Sequence, residues 1–245
     1  MLPNANEIPQ YVLTVLFIFA LFKAFRYGYF SSFRTLFSRS FLRQWHLSLL
    51  TGILLLLVSF WFDGWGSGLR DMGSGVADFV RSFGNLYGDG LVEFSILTGG
   101  YFLARAMNRK KLAFWFLGVI TAALVAGLSV DLIKVIISRS RPLPGLAGEG
   151  WFLHGLLISS GLGWEYLSFP SGHTTTAASV AFFSLFTSSP KISSFLLFFA
   201  MITGAARVLS GVHWISDVAA GFLWAFVCAL PVAMFYRDRV KDFLK

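Results

Sequence analysis

The chain has 245 residues, of which 56% are hydrophobic and only 13% are charged, and its mean hydropathy is +0.70. Soluble domains carry about 25% charged residues, so this composition excludes an ordinary soluble domain and indicates an integral membrane protein. The formal net charge of +8 does not require nucleic acid, because Lys and Arg of membrane proteins collect in cytoplasmic loops. One cysteine, Cys228, excludes a disulfide within this chain and argues against a thiolate metal cluster.

Seven apolar segments follow one another along the chain and predict an all-α, polytopic transmembrane helix bundle of six or seven spans. The first contains Lys23, and the third carries Asp89 and Glu93 near its start, so these two fit a span least well. No repeat or linker divides the chain, which predicts a single domain over residues 1–245. The segments are about Tyr11–Tyr27, His46–Trp65, Gly88–Ala106, Leu112–Ile137, Ser171–Ser188, Ile192–Ser210 and Ser216–Tyr236.

The basic residues predict the orientation of these spans. Most of the 20 Lys and Arg residues fall at alternating segment ends, which the positive-inside rule assigns to the cytoplasm together with the C-terminus. The first segment lacks a basic flank before it and a small-residue cleavage site after it, so we expect it to be retained, with the N-terminus outside if all seven segments span. On the outer face, Gly66–Tyr87 mixes charged and apolar residues and predicts an interfacial helical segment.

The first chemical motif closes the fourth segment, in the sequence Lys134-Val-Ile-Ile-Ser-Arg-Ser-Arg141-Pro142. Lys134 and Arg141 are seven residues apart, so on a continuous helix they share one face, and Pro142 is expected to end that helix. Arg139 would lie on another face, where we expect a surface or loop contact. Lys134 also has Asp131 three residues before it, so a structural ion pair is the alternative interpretation.

The second motif is Pro170-Ser171-Gly172-His173, which opens the fifth apolar segment. It predicts a helix N-terminus whose free N–H groups bind an anion, with His173 as an ionisable proton donor. The third motif runs from Arg207 to His213 and Asp217. His213 and Asp217 are four residues apart, so on a helix the carboxylate would hold one imidazole nitrogen and leave the other nucleophilic; a helix-capping pair is the alternative.

These motifs converge, because the predicted topology places all of them at one depth on the outer face. Cations there break the positive-inside rule, and a bound anion explains them. Buried ionisable residues within membranes are costly and are functional by default. The pattern therefore predicts an anion site built from three cations, two histidines, one carboxylate and a helix N-terminus.

In order and spacing the three motifs resemble those of the type 2 phosphatidic acid phosphatase superfamily, whose pattern is K-x6-R-P, P-S-G-H and S-R-x5-H-x3-D. The resemblance spans Lys134 to Asp217, inside a motif-bearing part at 112–236. One position differs: Ala206 stands where the family has Ser, so a hydrogen bond to phosphate is missing or is replaced, with Ser210 as a candidate.

The resemblance implies a role for each matching residue. His213 would attack phosphorus and form a phosphohistidine, with Asp217 orienting its ring. His173 would protonate the leaving oxygen and later activate water. The phosphoryl oxygens would be bound by Lys134, Arg141, Ser171, Gly172 and Arg207. Side-chain cations supply the charge that phosphoryl transfer needs, so we expect no metal and no cofactor.

A lipid phosphate or diphosphate is the expected substrate, because its tail stays in the bilayer while its headgroup reaches the cations. The resemblance implies undecaprenyl diphosphate, phosphatidylglycerophosphate, phosphatidic acid or lipid A as candidates. The expected setting is a bacterial inner membrane with the site facing the periplasm, without nucleic acid or an obligate protein partner. The alternatives are a lipid-to-lipid phosphotransferase, a non-catalytic lipid transporter and, against the apolar spans, a haloperoxidase with the same residue set.

Overall fold

The computed structural model describes residues 39–146 and 163–243, and every regular element in these ranges is helical. The predicted segment Tyr11–Tyr27 lies outside the described residues. Seven longer α-helices and one six-residue helix follow in chain order. They are α1 (Arg39–Ser59), α2 (Asp63–Gly68), α3 (Gly75–Tyr87), α4 (Gly90–Ala106), α5 (Lys110–Ile137), α6 (Gly172–Thr187), α7 (Pro190–Leu209) and α8 (Ile215–Phe243).

Four helical stretches are long and apolar enough to cross a membrane. They are Trp45–Asp71, Lys110–Ile137, Lys191–Leu209 and Ile215–Val240. Helices α4 and α6, which the sequence also suggests as spans, have 17 and 16 residues. The prediction of an all-helical membrane protein is confirmed, whereas the number of six or seven spans and the interfacial position of α3 remain predictions.

Helix α6 forms the centre of the bundle and packs against α5, α7 and α8. Its inward positions carry small residues that are fully buried, such as Ala177, Ala178 and Ser179. Small residues let helix backbones approach closely where lipid offers little hydrophobic driving force. At Gly221 of α8, a Cβ atom would lie 3.0 Å from the Ser171 carbonyl oxygen, so this glycine allows the start of α6 to rest directly on α8.

The antiparallel arrangement brings four helix ends together. The C-terminal ends of α5 and α7 meet the N-terminal ends of α6 and α8, and all three sequence motifs lie at these ends. The segment that joins α3 to α4 completes this end of the bundle. There, Asp89 caps α4 by accepting hydrogen bonds from the N–H groups of Leu91 and Val92.

Two local predictions about helix boundaries are wrong. Helix α5 ends at Ile137, before Arg139 and Arg141, because Ser138 adopts a left-handed conformation with φ of 46°. Lys134 and Arg141 therefore do not share a helical face, and Pro142 does not set the end of the helix. Likewise, His213 precedes α8, which begins at Ile215.

Candidate active site

His213 and Asp217 form a buried pair at the start of α8. The His213 Nδ1 atom lies 3.2 Å from Asp217 Oδ2, and Asp217 is completely buried. Asp217 Oδ2 also accepts a hydrogen bond from the backbone N–H of Trp214 at 2.9 Å. The pair therefore meets because the carboxylate reaches back to the turn before the helix, and the two residues do not stand on one helical face.

The other ring nitrogen of His213 faces a cation. Arg141 Nη1 lies 3.2 Å from His213 Nε2. With Nδ1–H assigned as the donor to Asp217, Nε2 carries the lone pair and accepts from Arg141. The ring is thus held in the tautomer that leaves Nε2 as its nucleophilic atom.

Burial sets the charge state of this ring. It lowers the pKa of His213 to about 3, the hydrogen bond and charge of Asp217 oppose that shift, and the cations Arg141 and Arg207 add to it. The imidazole is therefore neutral near pH 7. A neutral ring is the form that can donate a lone pair to phosphorus.

Arg139 pairs with the second oxygen of the Asp217 carboxylate inside the protein. The expectation that Arg139 makes a surface or loop contact is therefore wrong. Its side chain is 3% exposed, and Nη1 donates to Asp217 Oδ1 at 2.6 Å. Its Nη2 forms a second buried ion pair, at 2.8 Å, with Asp63 of α2. The end of α5 at Ile137 frees this residue to turn into the interior, where its guanidinium also lies over the ring of Trp214.

Asp63 contacts the candidate site although it belongs to none of the three motifs. Its Oδ1 accepts from the backbone N–H of Ser216 and its Oδ2 accepts from the Ser216 hydroxyl, so it also fixes the first turn of α8. A signal for it exists in the sequence: a lone carboxylate at the end of an apolar run needs a buried partner. Ser168 is a further unpredicted contact, donating from its hydroxyl to Asp217.

Arg141 is anchored by the loop that precedes α6. Its Nε, Nη1 and Nη2 donate to the carbonyl oxygens of Trp164, Val212 and Leu167, and its guanidinium lies 4.0 Å from the centre of the Trp164 ring. Together with the contact to His213, these bonds occupy most of its five N–H donors. These bonds hold Arg141 firmly beside Nε2 of His213.

The start of α6 meets Lys134 at Gly172. A Cβ atom on Gly172 would lie 2.9 Å from Lys134 Nζ, so the ammonium group rests against this glycine. Lys134 Nζ also forms the expected ion pair with Asp131, at 3.1 Å. The lysine therefore makes a structural ion pair and also lies next to the start of α6. Asp131 is about half exposed, so the ammonium remains next to the helix N-terminus without being enclosed by its carboxylate partner.

Ser171 is fully buried and stands at the N-cap of α6, but its side chain forms no capping bond to the backbone. Its Oγ instead accepts from the Thr174 hydroxyl at 2.9 Å. This leaves the Ser171 hydroxyl proton free to point to an anion at the helix N-terminus. His173 follows in the first turn. Burial lowers the pKa of its imidazole to about 4, the cations Arg207, Lys134 and Arg141 add to that shift, and Asp89 opposes it.

Arg207 reaches the site from the C-terminal end of α7 and is held by α3. Its Nη1 donates to Asn85 Oδ1 at 2.8 Å, while Asn85 Nδ2 donates to the Ser210 hydroxyl at 3.3 Å. The buried Nε of Arg207 has no hydrogen-bond partner within the described residues. Asn85 therefore fixes this cation and leaves a donor for a ligand.

The unusual Ala206 lies in a close contact between two helices. It is fully buried, and a Cβ atom on Gly84 of α3 would lie only 2.5 Å from the Ala206 methyl group. The close contact of α3 with α7 brings the neighbouring Asn85 within reach of Arg207. Ser210 contacts Asn85, which in turn contacts Arg207.

All residues of the three motifs therefore lie at one end of the bundle, where the cations surround the two histidines. The family comparison agrees: residues 113–241 match the model of the PAP2 superfamily, and the chain belongs to that superfamily. The resemblance to type 2 phosphatidic acid phosphatases is thereby confirmed.

Two curated relatives are similar over most of the chain. A lipid A 1-phosphatase of Rhizobium etli is 30% identical over 174 residues, which cover 64% of this chain and 72% of the relative. A lipid A 1-phosphatase of Rhizobium johnstonii is 30% identical over 176 residues, covering 64% and 69%. Among solved structures, the crystal structure of Aquifex aeolicus LpxE is similar, with a TM-score of 0.51 and 23% sequence identity. The match covers 69% of this chain and 92% of the LpxE chain, and it shows a shared fold.

Proposed function

We propose that this protein is a membrane phosphatase that hydrolyses a lipid phosphate through a phosphohistidine on His213. The observation that carries the proposal is that both ring nitrogens of His213 have a charged neighbour. Asp217 Oδ2 lies 3.2 Å from Nδ1, and Arg141 Nη1 lies 3.2 Å from Nε2. A carboxylate that fixes the tautomer and a cation beside the reactive nitrogen suit attack on an anionic phosphoryl group.

In the first step, Nε2 of His213 attacks phosphorus while the bond between phosphorus and the lipid oxygen breaks. His173, which gains a proton when the bound phosphate dianion offsets the neighbouring cations, donates that proton to the oxygen, which leaves as a lipid hydroxyl. The charge on the three equatorial oxygens is neutralised by Lys134, Arg141 and Arg207, with N–H groups at the start of α6. Arg207 is suited to this role because its buried Nε has no hydrogen-bond partner among the described residues.

In the second step, His173 accepts a proton from water as the water oxygen attacks phosphorus. The phosphorus–nitrogen bond of the phosphohistidine then breaks, so inorganic phosphate leaves and His213 returns to its neutral form. Asp217 stays ionised throughout because it is held by Arg139, Ser168 and the Trp214 N–H. The steps use side-chain charge alone, so we expect activity without an added metal ion or cofactor.

A lipid carrying a phosphate on a sugar, as in lipid A, is the first substrate to test among the four candidate classes. Both curated relatives are named lipid A 1-phosphatases, and each match extends over about two thirds of this chain. The four apolar helical stretches supply the bilayer contact that a lipid substrate requires. With the orientation given by the positive-inside rule, the site would face the periplasm of a bacterial inner membrane.

The test is phosphate release by the purified protein in mixed micelles that contain EDTA. Lipid A, phosphatidic acid, phosphatidylglycerophosphate and undecaprenyl diphosphate serve as parallel substrates. We expect release from lipid A, together with an acid-labile phosphoenzyme when the lipid phosphate is isotopically labelled. The His213→Ala variant should lose both signals while keeping its thermal unfolding midpoint.

His46 offers a matched control, because it is an exposed histidine on α1 at a distance from the motifs. The His46→Ala variant should retain full activity. Phosphate release by His213→Ala would contradict the nucleophile assignment, and loss of activity in EDTA would contradict the metal-free mechanism. Appearance of the phosphate on a second lipid, without inorganic phosphate, would identify a phosphotransferase.

A further inference from the structure

A cavity of about 630 Å³ lies at the other end of the bundle from the candidate active site. It is lined by the turn from Met107 to Leu112 between α4 and α5, by Trp115, and by residues at the end of α6 and the start of α7. Its volume falls within the range of about 300–1,000 Å³ that is typical of small-molecule sites. None of the three sequence motifs contributes to it.

The cavity combines cations with an apolar wall. Arg109, Lys110 and Lys111 line it, and neither Asp nor Glu is among the lining residues in the described part of the chain. Among the side chains that the structure describes, none forms an ion pair with any of these three cations. The lining also includes Trp115, whose indole Nε1 donates to the Thr187 hydroxyl at 3.1 Å, which holds the ring in position.

The position of the cavity along the bundle fits the surface of a membrane. Lys111 and Lys134 stand at opposite ends of α5, and 1.5 Å per residue separates them by about 35 Å along the helix axis. The hydrocarbon core of a bilayer is about 30 Å thick. If the candidate active site lies at one interface, the cavity lies at the headgroup level of the other.

We propose that this cavity binds the headgroup of an anionic phospholipid from the leaflet opposite the catalytic site. The three cations of the lining complement a phosphate, and no Asp or Glu stands among the lining residues that the structure describes. Trp115, Leu112 and Ile192 offer apolar surface to the glycerol and the first acyl methylenes. The positive-inside rule accounts for the presence of basic residues at this end, but it does not account for a cavity that gathers them beside an ordered indole. The proposal does not depend on the hydrolase activity.

Phosphatidylglycerol is the probe, and the measurement is its binding to the full chain in detergent, by native mass spectrometry and by the rise in thermal unfolding midpoint. Phosphatidylcholine tests the need for net charge, and glycerol 3-phosphate tests whether a free phosphate is sufficient. We expect phosphatidylglycerol alone to be retained and to raise the midpoint. An equal rise with glycerol 3-phosphate would show a site for small anions and overturn the phospholipid proposal.

The variant R109Q/K110Q/K111Q should weaken phosphatidylglycerol binding about tenfold or more, because each removed cation weakens contact with an anionic headgroup several-fold. The matched control is R105Q/K191Q/R239Q, which removes three exposed cations near the same end that do not line the cavity. It should bind as the unmodified protein does. Equal binding by both triple variants, or equal loss in both, would overturn the proposal.

A second variant avoids dependence on the triple substitution. Ser188→Glu adds a carboxylate to the cavity lining and keeps all three cations, so it should also weaken binding. Retention of full binding by Ser188→Glu would contradict a headgroup in this cavity. Phosphate release should be unchanged in all these variants, which separates this inference from the proposed catalytic function.

Discussion

The two halves of the candidate active site differ in how completely the protein satisfies their polar groups. In the half that contains His213, the carboxylate of Asp217 is fully buried and bonded to Arg139, Ser168, Trp214 and His213. In the half around Arg207, a buried guanidinium nitrogen has no hydrogen-bond partner among the described residues. The fold therefore fixes His213, the proposed nucleophile, before a substrate binds, while it leaves an N–H donor on the side proposed to bind phosphate.

This difference predicts that substitutions in the two halves change different kinetic parameters. Substitutions around His213 should lower kcat, because they disturb a reacting group. Substitutions around Arg207 should raise KM as well, because they disturb a group that binds the phosphate before reaction.

The largest effect is expected for Asp217→Asn, which keeps the shape of the side chain and removes its charge. An amide allows the wrong tautomer of His213 and no longer pairs with Arg139, so kcat should fall by about 10³-fold or more. The measurement is steady-state phosphate release with the best lipid substrate. Asp238→Asn, at an exposed position near the other end of α8, is the control. A fall in kcat below tenfold for Asp217→Asn would contradict its role in orienting the nucleophile.

Arg139→Lys should have the next largest effect. One ammonium group does not reproduce the two ion pairs of the guanidinium with Asp217 and Asp63, so a buried carboxylate loses its partner. We expect kcat to fall by about 10–100-fold and the thermal unfolding midpoint to drop, with KM nearly unchanged. Arg105→Lys, on the exposed side of α4, is the control. A change confined to KM would show that Arg139 acts on substrate and not through Asp217.

Asn85→Ala tests the phosphate-binding half. It removes the acceptor of Arg207 Nη1 without touching the histidines, so kcat/KM should fall about tenfold, mainly through KM. Asn85→Asp keeps an acceptor and should restore most of the affinity. Thr51→Ala, at an exposed position of α1, is the control. An unchanged KM in Asn85→Ala would show that Arg207 holds its position without this partner.

Gly172→Ala should produce a smaller loss. The added methyl would lie 2.9 Å from Lys134 Nζ, so the flexible end of the lysine moves away from the helix N-terminus. We expect KM to rise about two- to fivefold, since the displaced group is mobile and remains in the site. A matched Gly90→Ala variant meets no neighbour within 4 Å and should show no change. A large fall in kcat would instead indicate a distorted start of α6.

The smallest effect concerns stability and pH. Because the folded protein holds the pKa of His213 at about 3 and an unfolded histidine titrates near about 6.5, protons bind preferentially to the unfolded chain between these values. The free energy of unfolding should therefore decrease as pH is lowered from 7 to 5. His213→Asn lacks this titration, so its thermal unfolding midpoint should fall less over the same range. An equal fall in both proteins would contradict the pKa shift.

The sequence by itself determined the class of the fold and the protein family, and it named the residues of the candidate site. The apolar runs required helices, because a bilayer satisfies no backbone hydrogen bonds. The spacing within the three motifs placed Lys134, His173, Arg207 and His213 at helix ends that antiparallel packing brings together. The departure at Ala206 was also visible, although its close contact with Gly84 was not.

Tertiary structure decided the residues that support the site. Helix α5 ends at Ile137 because burial of Arg139 between Asp63 and Asp217 favours a left-handed Ser138 over another helical turn, and no local pattern carries that long-range ion pair. The role of Asn85 likewise depends on the close packing of Gly84 against Ala206, which joins positions more than 120 residues apart. Motif spacing encodes contacts within a helix or across one turn, whereas these contacts exist only when distant helices pack.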